Sequence, residues 1–248
     1  MTKKLLIRSD ASLQIGSGHV HRCITLANKF SELGVDVGFV SRDFPAKEKK
    51  KIINAGYIYF ELPKRNLSNA RQLGGKNTEF YFDWLGVDQE QDAFEFLKIA
   101  KIFSPDVILV DHYGINAVWE KIVKDNNYPL IVIDDLANRS HYCDILIDQS
   151  YNRTKDDYIG LVNDECKLLT GSFFCIIRPE FRQLRDVSLK RRRTGKLESI
   201  LVTFGGVDPL DYTSKILKEI ENIVSGTNIQ INLVVGGNNP NLSKIKKL

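Results

Sequence analysis

The chain has 248 residues, of which 43% are hydrophobic and 27% are charged, and its formal net charge is +4. These values are typical of a soluble globular protein, and the length allows one large domain or two smaller ones. The basic residues form short runs without interleaved aromatic side chains, which argues against a nucleic-acid-binding surface. A mild positive charge favours an anionic small molecule as the substrate.

Cysteine usage and the N-terminus indicate a cytoplasmic protein. The four cysteines have neither CxxC nor metal-ligand spacing, so they are expected to be buried free thiols. The first apolar run is too short for a signal peptide, because Arg8 and Asp10 end it. No stretch approaches the roughly 18 apolar residues of a membrane-spanning helix. We therefore expect no membrane association.

Short apolar runs alternate with segments of helical period along the first half of the chain. Strands are predicted at 4–8, 35–41, 57–62, 107–110 and 130–133, and helices at 23–33, 46–55, 88–103 and 117–124. The stretch 63–76 is polar and irregular. This alternation predicts the α/β class with a parallel, doubly wound sheet.

A second α/β unit is predicted near the C-terminus, with strands at 199–204 and 229–235, a helix at 211–224 and a last helix near Asn241. The predicted domains are an N-terminal Rossmann-like lobe at 1–150, a connecting region at 151–196 and a partial C-terminal nucleotide-binding lobe at 197–248. Two strands and one full helix cannot cover both faces of a parallel sheet. The second lobe is therefore expected to be truncated.

A glycine-rich turn with a histidine follows the first predicted strand. Gly16, Ser17 and Gly18 precede a helix, so free backbone N–H groups and the positive end of the helix dipole suit a phosphate. His19 lies at the same place, where the dipole favours a neutral imidazole that accepts a proton. Asp10 is a candidate to orient this ring or to cap the turn, and Arg22 is a candidate partner for phosphate or for Asp10.

Two other interpretations of this turn remain open. It partly matches a dinucleotide-binding fingerprint, but His21 occupies the position of the third glycine that such a fingerprint requires. It is also compatible with a plain strand-to-helix turn, because α/β folds often contain glycines there.

Polar residues also follow other predicted strands, at the edge where open α/β sheets bind ligands. Asp111, His112 and Tyr113 follow one strand, and Asp134 and Asp135 follow the next. Adjacent side chains at a strand end point to opposite sides, so one of the two aspartates is expected to cap a turn and the other to make a polar contact. Gly205 and Gly206 repeat the strand–glycine–helix pattern in the second unit.

Together these motifs resemble the UDP-sugar hydrolase family of pseudaminic acid biosynthesis, which acts on UDP-2,4-diacetamido-2,4,6-trideoxy-β-L-altropyranose. The matching segments occur in order along nearly the whole chain. They are Arg8-Ser9-Asp10-Ala11-Ser12, Gln14-Ile15-Gly16-Ser17-Gly18-His19, Arg22-Cys23, 83–89, Val110-Asp111-His112-Tyr113, Ile133-Asp134-Asp135-Leu136-Ala137, His141, Cys143-Asp144, Asp148-Gln149, Arg178-Pro179-Glu180-Phe181 and 202–209.

The resemblance implies a two-lobed glycosyltransferase-B fold, akin to the MurG transferase, and hydrolysis at the anomeric carbon. The family's catalytic histidine corresponds to His19, which would activate a water molecule without a metal ion or cofactor. The partner it implies is a UDP-sugar. Its substrate-binding residues are expected among Asp10, Gly16, Ser17, Gly18, Arg22, His112, Tyr113, Asp135, Arg178, Gly205 and Gly206.

Members of the family usually have a further C-terminal stretch that helps to hold the nucleotide, and this chain ends before it. If nothing replaces that stretch, we expect weak or absent activity. A UDP-sugar glycosyltransferase and an inactive sugar-nucleotide-binding protein are the alternatives. We expect a monomer, and the stereochemistry of the sugar is expected to depend on loops such as 63–76.

Overall fold

The computed structural model describes residues 2–12, 14–64, 81, 83–237 and 239–247. It divides into two compact units, Met1–Ile177 and Arg178–Leu248. The predicted irregular stretch 63–76 lies, apart from its first two residues, outside the described residues.

A seven-stranded parallel sheet forms the centre of the first unit. Its strands are β1 (Lys4–Ser9), β2 (Asp36–Ser41), β3 (Ile58–Glu61), β4 (Val107–Asp111), β5 (Leu130–Ile133), β6 (Ile145–Asp148) and β7 (Lys167–Thr170). They lie in the order β3-β2-β1-β4-β5-β6-β7. Among the described residues, four α-helices lie between the first five strands: α1 (Gly18–Glu32), α2 (Ala46–Asn54), α3 (Gln89–Phe103) and α4 (Ala117–Asp125). The predicted α/β class and parallel sheet are confirmed.

Two hydrophobic cores cover the two faces of this sheet. In β1, Leu5 and Ile7 belong to one core and Leu6 to the other, because successive side chains of a strand point to opposite faces. Helices α1 and α2 bury their apolar residues in the first core. Helices α3 and α4 bury theirs in the second, around Phe96 and Trp119. Both faces of the sheet are therefore covered, as a parallel sheet requires.

The structure differs from the predicted elements in three places, one of which is an unpredicted helix at Pro179–Arg192 in the stretch interpreted as a connecting region. Helix α1 begins at Gly18, five residues before the predicted start, so His19 lies in its first turn. Strands β6 and β7 were not predicted, and β7 lies in the stretch 151–196 that was interpreted as a connecting region. That stretch is divided between the two units.

The second unit contains a two-stranded parallel sheet of β8 (Ser199–Thr203) and β9 (Gln230–Val234). Its helices are α5 (Pro179–Arg192), α6 (Tyr212–Val224) and α7 (Leu242–Ile245). A Cβ atom on Gly236 would overlap the carbonyl oxygen of Gly206, so these two backbone segments approach closely because Gly236 has no side chain.

None of the helices in the described parts of the chain is both long and apolar enough to cross a membrane. All four cysteines are free thiols; Cys23 and Cys143 are buried, while Cys166 and Cys175 are partly exposed.

Candidate active site at the carboxyl edge of the sheet

The candidate site lies where the strand order of the first sheet reverses. Strands β1 and β4 are parallel neighbours, and Ser9 is paired in register with Asp111 at their carboxyl ends. Helix α1 follows β1 on one face, whereas α3 packs on the opposite face. Open α/β sheets bind ligands at such a reversal, because the connections on either side leave a crevice.

The turn before α1 is built around Gly16. Its N–H donates to the carbonyl of Ser12 at 2.8 Å, and its φ of +78° is a left-handed conformation that favours glycine. Ser17 is partly exposed and Gly18 is exposed. Because the first amides of a helix have no acceptor within the helix, this turn presents N–H donors and the positive end of the α1 dipole. The predicted phosphate role of Gly16, Ser17 and Gly18 stays a prediction, in which Gly16 shapes the turn because its N–H is bonded to Ser12.

His19 is held by a buried carboxylate. Its Nδ1 lies 2.6 Å from Oδ1 of Asp111, whose side chain is fully buried. An ionised carboxylate can only accept, so Nδ1 donates the proton and Nε2 keeps its lone pair. No protein hydrogen bond to Nε2 occurs among the described residues. The pair therefore has the arrangement of a general base and its orienting acid.

Arg22, one turn along α1, binds two carboxylates. Its Nε and Nη2 donate to the two oxygens of Asp111, both at 2.7 Å, and its Nη1 donates to Asp135 at 2.6 Å. Burial would raise the pKa of Asp111, but the adjacent His19 and Arg22 hold it well below the usual range. Asp111 is therefore ionised. Arg22 does not pair with Asp10, because these two carboxylates occupy its guanidinium, and its predicted contact with a phosphate stays a prediction.

The adjacent carboxylates Asp134 and Asp135 point to different surroundings, as the alternation of side chains predicts. Oδ2 of Asp134 accepts from the N–H of Ala137 and caps that turn. Asp135 faces the His19 site, where its Oδ2 accepts from Arg22 and from the hydroxyl of Tyr113 at 2.7 Å. Burial and the charge of Asp135 raise the pKa of Tyr113, so this phenol is a hydrogen-bond donor rather than a base.

Asp10 and His112 differ from their predicted roles in substrate binding. Both are buried, and the carboxylate of Asp10 is enclosed by the guanidinium of Arg8, the N–H of Arg42 and Nε2 of His112 at 3.1 Å. Nδ1 of His112 accepts from the N–H of Gly114, which places its proton on Nε2. Asp10 also does not orient His19, because the end of β4 supplies Asp111 for that purpose. These two side chains form the frame beneath the site.

This frame continues into α3 through Asp92. The fully buried Asp92 accepts from Arg8 at 2.9 Å, from Arg42 at 2.9 Å and from the indole Nε1 of Trp119 at 2.9 Å. Arg42 also binds Glu95. Paired and hydrogen-bonded in this way, the buried charges tie the carboxyl ends of β1 and β2 to α3.

Aromatic rings line the approach to His19. The ring of Tyr113 meets the imidazole edge-to-face at a centroid distance of 4.4 Å, and the ring of Trp84 lies at 6.5 Å. Trp84 and Tyr113 are nearly parallel at 6.0 Å, and Tyr81 contacts both of them. All three aromatic residues are partly exposed.

The other predicted substrate-binding residues belong to the second unit. Arg178 is exposed, with its guanidinium 5.1 Å from the ring centroid of Phe181. Gly205 and Gly206 are exposed in the turn after β8, where Gly205 has a φ of +74°. Asp208 accepts from the N–H groups of Tyr212 and Thr213 at the start of α6. The binding role of Arg178, Gly205 and Gly206 stays a prediction.

The roles of Asp111 and Trp84 beside His19 were not predicted from the sequence. Asp111 follows the predicted strand 107–110. Its contact with His19 becomes clear only when β4 is known to lie beside β1. Trp84 lies in the matching segment 83–89, but its position beside His19 depends on long-range packing. In the part of the chain that the structure describes, no group of three or more His, Cys, Asp or Glu side chains could hold a metal ion.

Comparisons with known proteins identify similar sequences and folds. No protein-family model matches the chain. The UDP-2,4-diacetamido-2,4,6-trideoxy-β-L-altropyranose hydrolase of Campylobacter jejuni is 28% identical over 244 residues, which are 98% of this chain and 73% of that protein.

Two solved structures share the fold. MurG of Acinetobacter baumannii has a TM-score of 0.53 at 12% identity, covering 95% of this chain and 68% of MurG. A UDP-glucosyltransferase of Polygonum tinctorium has a TM-score of 0.60 at 10% identity, covering 99% of this chain and 67% of the transferase. The chain therefore has a glycosyltransferase-B fold and is similar over nearly its whole length to the UDP-sugar hydrolase that its motifs indicated.

Proposed function

We propose that this protein hydrolyses a UDP-linked 2,4-diacetamido-2,4,6-trideoxyhexose of the altropyranose type. The products are UDP and the free sugar, and the reaction is a step of pseudaminic acid biosynthesis. The similarity to the Campylobacter hydrolase over 98% of the chain supports this choice of substrate. The observation that carries the chemistry is the pairing of His19 with Asp111 beside the amides of α1.

His19 is the general base in this proposal. Its Nε2 takes a proton from a water molecule while Nδ1 keeps its hydrogen bond to Asp111, which stabilises the imidazolium that forms. The water oxygen bonds to the anomeric carbon from the face opposite UDP. The bond between that carbon and the diphosphate oxygen breaks, so the anomeric configuration inverts.

The departing diphosphate gains negative charge as this bond breaks. The amides of the first turn of α1 and the positive end of its dipole would stabilise that charge. Arg22 cannot serve the same purpose without giving up its carboxylate partners, Asp111 and Asp135. We therefore propose that the Gly16–Gly18 turn is the diphosphate contact of the first unit.

The experiment is turnover of the UDP-sugar in ¹⁸O-labelled water without any glycosyl acceptor. We expect free sugar and UDP, with no ¹⁸O in the UDP phosphate, because water attacks carbon rather than phosphorus. Label in the phosphate would contradict the proposal. UDP release that requires an added hydroxyl acceptor would favour the glycosyltransferase alternative, and tight binding without turnover would favour an inactive sugar-nucleotide-binding protein.

A further inference from the structure

Tyr81, Trp84 and Tyr113 form a continuous aromatic wall beside the proposed general base. Tyr113 packs edge-to-face on the His19 ring, and Trp84 packs nearly parallel to Tyr113 with Tyr81 against both. A group that reacts at Nε2 of His19 has to lie next to this wall.

At Tyr113, the aromatic wall offers ring carbon atoms, and not the phenol hydroxyl, to a ligand. The hydroxyl of Tyr113 is engaged by Asp135 at 2.7 Å, and the guanidinium carbon of Arg139 lies 5.8 Å from the centroid of its ring. The polar end of the phenol is thus fixed on the protein. What Tyr113 offers to a ligand near His19 is the edge and face of its ring.

The wall is also fixed in place by the loop after β4. A Cβ atom on Gly114 would lie 2.6 Å from the carbonyl oxygen of Tyr81 and 3.0 Å from the ring of His112. Tyr81 can approach this loop only because Gly114 has no side chain. The same loop carries Tyr113 and follows Asp111, so the wall and the base share one support.

We propose that this aromatic wall is a specificity-determining subsite for the carbon-rich edge of a deoxy sugar, where a methyl group replaces a hydroxymethyl group. The inference rests on the proposed function and adds a reason for its substrate class. A methyl group packs against ring carbon, whereas a hydroxyl group against the ring of Tyr113 loses its hydrogen bonds to water, because the phenol hydroxyl is already held by Asp135. An apolar pocket rejects an added hydroxyl by on the order of 10²-fold at most.

The test compares kcat/KM for two UDP-sugars that differ only in a methyl or a hydroxymethyl group at C5. We expect the wild-type protein to prefer the methyl sugar roughly 10- to 100-fold. In Trp84→Ala the ratio should fall towards one, mainly through loss of activity on the methyl sugar. Trp84→Phe keeps an aromatic ring and should keep most of the preference. An unchanged ratio in Trp84→Ala would overturn the inference.

A binding measurement separates this inference from the proposed hydrolysis. The chain has two tryptophans, and the other, Trp119, is fully buried with its indole bound to Asp92. In His19→Asn, the methyl sugar nucleotide should change the tryptophan fluorescence, and adding Trp84→Phe should abolish the change. UDP alone should bind all variants equally, as a control for folding.

A failure of the proposed hydrolysis and a failure of the methyl subsite give different results. If the wild-type protein binds the methyl sugar nucleotide preferentially but never hydrolyses it, the proposed function fails and the subsite stands. If it hydrolyses both sugars equally well, the subsite fails and the hydrolase stands.

Discussion

Asp111 determines the chemistry of His19 at the scale of single residues. The carboxylate accepts from Nδ1 of the imidazole and from two nitrogens of Arg22, so it holds both side chains of α1 in place. Its position at the end of β4 is set by the register with β1. Asp111 is therefore a positioning residue that acts through His19.

Replacing Asp111 with Asn tests this positioning role. The Asn amide can turn its NH₂ towards Nδ1 and force the proton onto Nε2, which removes the base. We expect kcat to fall on the order of 10²- to 10⁴-fold, the usual contribution of general base catalysis, with unchanged affinity for UDP. Steady-state kinetics and UDP calorimetry measure the two quantities. A loss of UDP affinity equal to the loss of kcat would indicate a folding defect instead.

Asp92 carries a second prediction at this scale, for stability. Asp92→Ala would leave the buried guanidiniums of Arg8 and Arg42 without their shared partner. We expect the free energy of unfolding to fall by roughly 3–5 kcal/mol, measured by urea denaturation. Glu95→Gln is the matched control, because Glu95 pairs with Arg42 at a more exposed position and should cost about 1 kcal/mol or less. Equal losses in the two variants would contradict the account.

At the scale of elements, the turn before α1 gives a matched pair of glycines. A Cβ atom would meet nothing within 4 Å at either Gly16 or Gly18, but only Gly16 has a positive φ. Gly16→Ala should therefore lower the free energy of unfolding by roughly 1–2 kcal/mol through backbone strain. Gly18→Ala, in the first turn of the helix, should change it by about 0.5 kcal/mol or less. Urea denaturation of both variants measures the difference, and a greater loss at Gly18 would refute the assigned turn geometry.

The elements also show what the sequence can predict. Strands β1 to β5 were predictable because their apolar runs are bounded by turn residues. Strands β6 and β7 follow irregular segments rather than α-helices, so the alternation of strands and helices did not indicate them, and they are recognised by their pairing with the existing sheet. The start of α1 was hidden because Gly18 is a poor helix former and His19, Val20 and His21 are only moderate ones.

At the scale of the whole molecule, the site depended on strand order. His19 and Asp111 each follow a predicted strand, but Asp10 is nearer in the chain and was the candidate to orient His19 or to cap the turn. The strand order β2-β1-β4 brings Asp111 next to His19. The carboxylate of Asp10 instead pairs with the buried guanidinium of Arg8. Long-range pairing of this kind is not encoded in local spacing.

A buried histidine makes the stability of the fold depend on pH. Burial alone would lower the pKa of His141, but Glu120 at 2.7 Å and Asp134 at 3.7 Å raise it to about 9 from 6.5. Because the folded value is the higher one, the stabilisation is complete below pH 6.5 and is lost as the pH rises to about 9. Its size is roughly 3 kcal/mol at 1.36 kcal/mol per pKa unit.

Urea denaturation at several pH values between 6 and 10 tests this prediction. The free energy of unfolding should decline over this range in the wild-type protein and much less in His141→Gln. The same slope in both proteins would show that other groups cause the decline.

The most direct test of the whole account is the catalytic rate of His19→Asn beside that of His21→Asn. Both histidines lie in the first turns of α1, but the side chain of His21 is 48% exposed and that of His19 is 9% exposed against Asp111. We predict that His19→Asn binds the UDP-sugar and releases UDP at least about 10²-fold more slowly, whereas His21→Asn retains the wild-type rate. UDP release by His19→Asn at the wild-type rate would contradict the account.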